Sequence, residues 1–251
     1  MATYISIVIT SYNRAQYLPA AIESVLTQTY SNFDLLIWDD GSTDGSVEIA
    51  RRYAQEDQRI QVVTARHQGL APALKAAVAA TKGTYLGWVD SDDTLDPTAL
   101  AETTAVLDAQ PNIGLVYTDY QIIDETGNVK GVGTRCQIPY SKERLLVDFM
   151  TFHFRLIRRS VYDRVRGIDS SFERAEDYDL CLRISEVTEI QHIKRFLYCY
   201  RQHADNVTKN QLEQIRWAYK ASTEALQRRG LNDRYKIDLE IASKFVLRKK
   251  S

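Results

Sequence analysis

The chain has 251 residues, 44% hydrophobic and 26% charged, and its 32 Lys and Arg face 33 Asp and Glu for a net charge of −1. That length supports one large α/β domain or two small ones with a substantial core, and the composition excludes a disordered or fibrous chain. Near-neutrality argues against a nucleic-acid binder working through bulk electrostatics, although a local basic patch is compatible with it.

The first half alternates β-rich runs with helical patterns, as a wound, mostly parallel sheet does. Ile5 to Ile9 reads as a buried strand, and Tyr17, Leu18, Ala21, Ile22, Val25 and Leu26 are spaced as one helix face. A strand from Asp34 to Trp38, a turn at Asp39 to Asp44 and a helix through Ile49 and Tyr53 follow. Ile60 to Thr64 is a third strand, Leu70 to Ala80 an Ala-rich helix, and Tyr85 to Val89 a fourth strand ending in Asp90-Ser91-Asp92-Asp93. Asp96-Pro97 starts a helix, since Asp caps and Pro needs no amide partner in the first turn.

Ile113 to Thr118 is a fifth strand, and Asp124 to Asn128 a turn between extended segments. Beyond residue 130 the alternation fails. Ser141 to Phe149 reads as helical, Phe152 to Ile157 as a strand and Ser160 to Val165 as a short helix. Glu176 to Glu186 is a helix with Leu180, Leu182 and Ile184 partly buried, Ile193 to Arg201 a late strand, and the chain past Asn210 helical and amphipathic. With no repeat or linker, the expected organisation is one domain over 1–208, its nucleotide-binding half about 1–120 and its acceptor half about 121–208, with C-terminal helices over 209–251 packed on it.

Cys136, Cys181 and Cys199 are odd in number and form no CxxC pair, which excludes a disulfide framework and structural zinc. Cys181 and Cys199 read as small buried hydrophobes, and a reducing, cytoplasmic compartment is the default expectation. The first ten residues read as a strand rather than a signal peptide, and no uncharged run is long enough to span a bilayer. The expectation is a soluble protein, at most peripheral to a membrane.

The acids carry the functional information. Asp39 and Asp40 follow the second strand, and Asp90, Asp92 and Asp93 follow the fourth. Carboxyl ends of parallel strands share one edge, where ligands bind, so two clusters far apart in sequence fall on one rim. Carboxylates so crowded repel unless a cation sits among them, and Mg²⁺ or Mn²⁺ takes one or two carboxylates plus substrate phosphates. The bland alternative is that Asp39 to Asp44 is an ordinary turn. Asp96 reads as a cap only. For Glu176-Asp177 two readings stand: dipole-favoured acids of a first helical turn, or a carboxylate lodged in a cleft.

The motifs taken together resemble the family 2 inverting glycosyltransferases of the nucleotide-sugar-binding GT-A fold. Ile7-Val8-Ile9-Thr10-Ser11-Tyr12-Asn13-Arg14 resembles the family's opening strand and turn. Ala21 to Tyr30 and Asp39-Asp40-Gly41-Ser42-Thr43-Asp44 resemble its next two signatures, and Asp90-Ser91-Asp92, after Lys82-Gly83-Thr84-Tyr85, its DxD motif. Glu176-Asp177-Tyr178-Asp179-Leu180 is similar to the ED motif, and Tyr200-Arg201-Gln202-His203 to a late Tyr-Arg-x-His segment. The ordered set spans about residues 4 to 208.

The resemblance implies that Thr10, Tyr12 and Asp40 hold the nucleotide base, usually uracil, with Tyr12 stacking and Asp40 accepting from a ring N–H. It implies that Asp90 and Asp92 lie at ribose and metal (Mn²⁺ or Mg²⁺), Asp92 being the direct ligand and His203 a further candidate beside metal or diphosphate. Asp177 is then the general base acting on an acceptor hydroxyl of a glycan or lipid-linked substrate. Ala73-Leu74-Lys75 departs from the family's Ala-Arg-Asn-like segment, and Lys75 or Arg66 is the candidate to supply the missing charge to the diphosphate.

His153, between Phe152 and Phe154, either lines the acceptor pocket with Glu176 or merely packs. His67 and His192 read as structural, and Trp38 and Trp88 as core. Asn206-Val207-Thr208 matches a glycosylation acceptor of no expected consequence. The basic end Arg248-Lys249-Lys250 either rests on an anionic membrane or belongs to a solvated helix face. Two rival functions remain. Asp90-Ser91-Asp92-Asp93-Thr94 also fits the DxDxT of haloacid-dehalogenase-like phosphatases, with Asp90 as nucleophile, although that motif normally ends a first strand. The other rival is a nucleotide-binding module without turnover.

Overall fold

A computed structural model of the chain describes residues 3–203 and 211–240. Its strands are β1 (Ile5–Ser11), β2 (Phe33–Asp39), β3 (Ile60–Thr64), β4 (Tyr85–Asp90), β5 (Thr94–Leu95), β6 (Ile113–Ile123), β7 (Val129–Val132), β8 (Arg155–Arg158) and β9 (Glu189–Arg201). Its helices are α1 (Leu18–Leu26), α2 (Ser46–Glu56), α3 (Leu70–Ala79), α4 (Ala99–Ala109), α5 (Arg159–Arg164), α6 (Glu176–Val187) and α7 (Gln211–Arg228). The strands form one mixed sheet in the order β3-β2-β1-β4-β8-β6-β9-β5, with β7 pairing β6.

The order positions the site. From β3 to β4 every pairing is parallel, and the register sets Ser11 against Asp39 and Thr10 against both Trp38 and Asp90. The ends of β1, β2 and β4 therefore meet at one edge, as their acids require. Beyond β4 the sheet turns mixed: β8 inserts antiparallel between β4 and β6, while β9 runs parallel to β6.

Both faces of the sheet are covered, so its strands are apolar on both sides. Ile5, Ile7 and Ile9 of β1 join Leu18, Ile22, Val25, Leu100 and Leu107 in one core. Val8, Leu36, Leu86 and Trp88 join Leu74 and Val78 of α3 and the buried faces of α6 and α7 in the other. Leu180, Leu182 and Ile184, expected to be partly buried, are wholly buried, because α7 covers α6 with Ala221, Ala225 and Leu226. Cys181 is buried as expected, whereas Cys199 is only partly so, and all three cysteines are free thiols.

Three expectations are corrected. Ser141 to Phe149 is not a helix but a chain with one 3₁₀ turn, Arg144–Leu146. There the Leu145 carbonyl accepts from the Tyr178 hydroxyl at 2.7 Å instead of from a helical N–H. The helix after Asp96-Pro97 starts later, at Ala99, because the Asp96 carboxylate accepts from the Thr98 N–H and hydroxyl in a preceding turn. Among the described residues the C-terminal region holds one helix, α7, rather than several. The Asn206-Val207-Thr208 sequon and the basic end Arg248-Lys249-Lys250 lie outside the described residues. Among the described residues no helix is long and apolar enough to cross a membrane.

Candidate active site

The loop after β1 runs along the shared strand edge and touches both of its ends. Asn13 adopts a left-handed φ of 53°. Its side-chain oxygen accepts from the Thr43 N–H at 2.8 Å, and its own N–H donates to the Ser42 hydroxyl at 2.9 Å. The turn Asp39 to Asp44 is thus both turn and scaffold. Asp39 Oδ1 accepts from the Gly41 and Ser42 N–H groups, and Asp44 accepts from Ser46 and Ala15. These two acids organise the loop, as the bland reading has it.

Asp40 is different. It is buried, and its carboxylate accepts from the Gln68 N–H at 3.0 Å and the Gly69 N–H at 2.8 Å at the head of α3. His67 Nδ1 approaches Asp40 Oδ2 at 2.8 Å, and the same imidazole stacks on the exposed Tyr12 ring at 3.9 Å and 20°. His67, read from sequence as structural, therefore stands between the aromatic face and the carboxylate expected to take a base. Nothing local to residue 67 signals this, since the partners lie on two other loops. His192 is where a structural histidine belongs, stacked on Tyr117 and bonded to Asp119. Trp88 is buried, and Trp38 packs on the core, its Nε1 buried without a hydrogen-bond partner among the described residues.

At the other end of the loop, Arg14 Nε lies 3.4 Å from Asp92 Oδ2, and His203 Nε2 lies 2.9 Å from the same oxygen. The late Tyr-Arg-x-His segment thus meets the DxD motif across 111 residues. Arg201 secures the meeting by donating from Nε to the Asp92 carbonyl at 2.7 Å. Asp93, beside them, is fully buried and belongs to the scaffold: it accepts from the Tyr198 hydroxyl at 2.8 Å and the Arg201 N–H at 2.7 Å. Burial, then Asp92 and Asp90, push its carboxyl well above the ordinary range.

Asp90 closes the gap between the two sides. Burial first, then the charges of Asp92 and Asp177, push its carboxyl up to about 7, while Arg155 and Arg14 pull the other way. His153 Nε2 lies 3.5 Å from Asp90 Oδ2, and its ring stacks on Tyr198 at 4.8 Å. Burial, then Arg155 and Arg135, hold this imidazole well below its ordinary pKa, so it is neutral. Glu176 and Asp177 open α6 after Ala175, which takes a left-handed φ of 58°. Glu176 is buried and pushed up to about 8 by burial and then by Asp177. Asp177 Oδ2 accepts from both guanidinium ends of Arg155, at 3.0 and 3.1 Å.

Asp90, Asp92, Asp177, Glu176, His153 and His203 are therefore brought into one neighbourhood, and Thr10, Tyr12 and Asp40 into the adjoining stretch of the same edge. Lys75 is not brought there. It is exposed on α3, and the carboxylate it influences is Asp169. Arg14 is the cation at Asp92 instead, a residue inside the opening motif to which sequence reasoning gave no role.

A model of the family described as glycosyl transferase family 2 matches residues 6–166, well over half of the chain. The chain belongs to glycosyl transferase family 2. Among its relatives, chondroitin synthase of Escherichia coli is 32% identical over 228 residues, which cover 90% of this chain and 33% of that protein. Hyaluronan synthase of Pasteurella multocida is 29% identical over 250 residues, covering 98% of this chain and 26% of the relative. The chain thus spans a third or less of the length of these relatives.

Solved structures agree on the fold. S. aureus TarS 1–349 in complex with UDP-GlcNAc superposes with a TM-score of 0.71 at 17% identity, over 88% of this chain and 66% of that one. The mannosyltransferase PcManGT from Pyrobaculum calidifontis, in complex with GDP-Man and Mn²⁺, gives 0.70 at 14% identity, over 94% and 77%. With the family shown and the fold shared with these solved structures, the phosphatase reading is not favoured. Three strands precede the acidic motif, whereas the phosphatase motif normally ends a first strand.

Proposed function

We propose that this glycosyltransferase moves a sugar from a UDP-sugar to an acceptor hydroxyl with inversion, assisted by Mn²⁺ or Mg²⁺, with Asp177 as general base. The observation that carries the reading is the convergence of Asp92, His203 and Arg14 on one side of Asp90 with Asp177 and Arg155 on the other. TarS, crystallised with UDP-GlcNAc, and PcManGT, crystallised with GDP-Man and Mn²⁺, support a nucleotide-sugar donor and a metal by analogy.

The donor set suits a hard divalent cation. Among the described residues no three His, Cys, Asp or Glu side chains form a closed metal site. Asp92 and His203 supply one oxygen and one nitrogen, and a diphosphate brings further oxygens, the arrangement Mg²⁺ and Mn²⁺ favour. Burial first, and then the charges of Asp92 and Asp177, push the Asp90 carboxyl up. When bound, the cation supplies charge that stabilises the departing diphosphate.

The chain's own residues do the rest. Tyr12 offers the base a stacking face, Thr10 borders it, and Asp40 accepts a ring N–H in place of the His67 imidazole. Arg14 adds positive charge beside Asp92. On the acceptor side His153, neutral, and Glu176, holding its proton near neutrality, line the approach to Asp177. Asp177 takes the acceptor hydroxyl's proton as that oxygen bonds the anomeric carbon and the diphosphate leaves from the opposite face. The nucleotide half is assigned to about 1–120, the acceptor half to about 121–208 and the appended region to 209–251. The acceptor is a glycan or a lipid-linked sugar, the latter reached from a membrane surface.

A thermal-shift comparison of UDP, GDP, dTDP and CMP, each with and without Mn²⁺, tests the reading. The largest stabilisation is expected for UDP with Mn²⁺, because ligands that bind only the folded state raise its melting temperature. An equal or absent response to all four nucleotides overturns it.

A further inference from the structure

Arg155 is the largest of the fully buried side chains, with only 2% of its side-chain surface exposed. A guanidinium so placed costs several kcal/mol of desolvation unless its partners are good, and apolar residues in such places are often as stable or more so. The partners here are unequal. Nη1 donates to Asp177 Oδ2 at 3.0 Å and to the Thr151 carbonyl at 3.2 Å, and Nη2 donates to the same Asp177 oxygen at 3.1 Å. Nε is buried with no hydrogen-bond partner among the described residues. The group lies over the Trp88 ring at 5.4 Å and the Phe149 ring at 5.7 Å, which fixes its plane.

Both guanidinium ends go to one carboxylate oxygen. Oδ2 of Asp177 is thereby occupied, while among the described residues Oδ1 accepts only from the Tyr178 N–H at 2.8 Å. Oδ1 is the less encumbered and more basic of the two. The charged and titratable groups that interact with Asp177 are Arg155 from β8, Glu176 and Cys181 on α6, and Asp90 at the end of β4. Two of these are further carboxylates. Arg155 is the buried cation that opposes them.

We infer that Arg155 is a positioning residue for sugar transfer: it fixes Asp177 through Oδ2, so that Oδ1 is the oxygen left to take the acceptor's proton. The inference rests on Asp177 being the general base.

The test uses the full chain with Mn²⁺ and a panel of UDP-GlcNAc, UDP-Glc and UDP-GlcUA, reading UDP release to water from pH 5.5 to 9.5. Wild type, Arg155→Lys, Arg155→Gln and Asp177→Asn are compared, alone and with Asp177→Asn added to each Arg155 variant. Arg155→Gln is expected to lower kcat about 100-fold near pH 7 with KM for the donor held within about threefold, the mark of an interaction made in the transition state. Arg155→Lys, which keeps the charge but not the paired geometry, loses about tenfold. In the Asp177→Asn background neither Arg155 substitution lowers the rate further.

A kcat within about threefold of wild type, or an Arg155 loss that persists undiminished in the Asp177→Asn background, overturns the inference while leaving the transferase reading intact. Should Arg155→Gln not fold, Arg155→Lys decides by its kcat against KM alone. Full activity of Asp177→Asn, or no UDP release by wild type from any of the three donors, overturns the reading on which the inference rests.

Discussion

The two ends of the site are built in different ways. The base-binding end is made of loops that follow consecutive parallel strands, and its residues sit within a few positions of a strand terminus: Tyr12 after β1, Asp40 after β2, His67 after β3. The proton-taking end is assembled from distant pieces: Arg155 opens β8, Asp177 opens α6, His153 precedes β8 and Asp90 closes β4. At the first end neutral backbone N–H groups satisfy a carboxylate, so Asp40 is met by the Gln68 and Gly69 amides. At the second, Asp177 is met by the Arg155 guanidinium, while burial first and neighbouring carboxylates next push Asp90 up to about 7 and Glu176 up to about 8. A strand edge thus supplies binding almost by topology, whereas the general base has to be held by a counter-charge brought from elsewhere.

The strongest way to break the comparison is to cut the tie between the two ends. Asp93 accepts from the Tyr198 hydroxyl and the Arg201 N–H, so it binds the β4 end to β9. Asp93→Ala leaves two buried donors without acceptors and is expected to cost about 2–4 kcal/mol in urea unfolding. Asp93→Asn keeps an acceptor, and because burial already favours the uncharged carboxyl, it is expected to cost under about 1 kcal/mol. Equal losses for the two would show that volume, not the hydrogen-bonded tie, is what matters there.

Much of the first end was legible because its information is local. Alternating apolar runs fix β1 to β4, parallel pairing aligns their ends, and Asp40 and Asp90 then share an edge with no further knowledge. Asp177 and His203 were legible only through the motif order. Arg155 was not legible at all. Phe-Arg-Leu-Ile-Arg reads as a strand with two arginines, and no periodicity reveals that β8 inserts between β4 and β6 or that a carboxylate 22 residues after Arg155 awaits it. Lys75 was a candidate because it directly follows Leu74, which stands where the family's segment has Arg; it is exposed on α3, while Arg14 takes the place beside Asp92. Ser141 to Phe149 misled because helical spacing of apolar residues cannot report that Tyr178 claims the Leu145 carbonyl.

A titration sharpens the contrast between charge and backbone as partners. Glu176 holds its proton in the folded state up to about pH 8 against an ordinary value of 4.5, so the folded protein binds a proton the unfolded chain has released between these values. Stability contributed by the neutral side chain is complete below about pH 4.5 and declines as pH rises toward 8. Glu176→Gln removes that decline at this position, and its advantage over wild type is expected to grow by about 1–3 kcal/mol between pH 5 and 9. Urea midpoints across that range check it, and parallel curves for the two proteins would place the proton elsewhere in the cluster.

The smallest effect probes the first end. The His67 imidazole lies flat on Tyr12 and hydrogen-bonds Asp40, so it occupies both the face and the acceptor that the reading assigns to a pyrimidine. A base entering there must displace it, and the free energy of the stack and the hydrogen bond is subtracted from that of binding. With ring stacking contributing about 0.5–1.5 kcal/mol, His67→Ala is expected to tighten UDP about three- to tenfold by calorimetry in Mn²⁺. Tyr12→Ala, by contrast, removes the face itself and weakens binding. If His67→Ala also weakens UDP, the imidazole is a wall of the base site and not its occupant, and the two ends are more alike than the ligand-free geometry implies, each holding its substrate with a side chain brought from a distant loop.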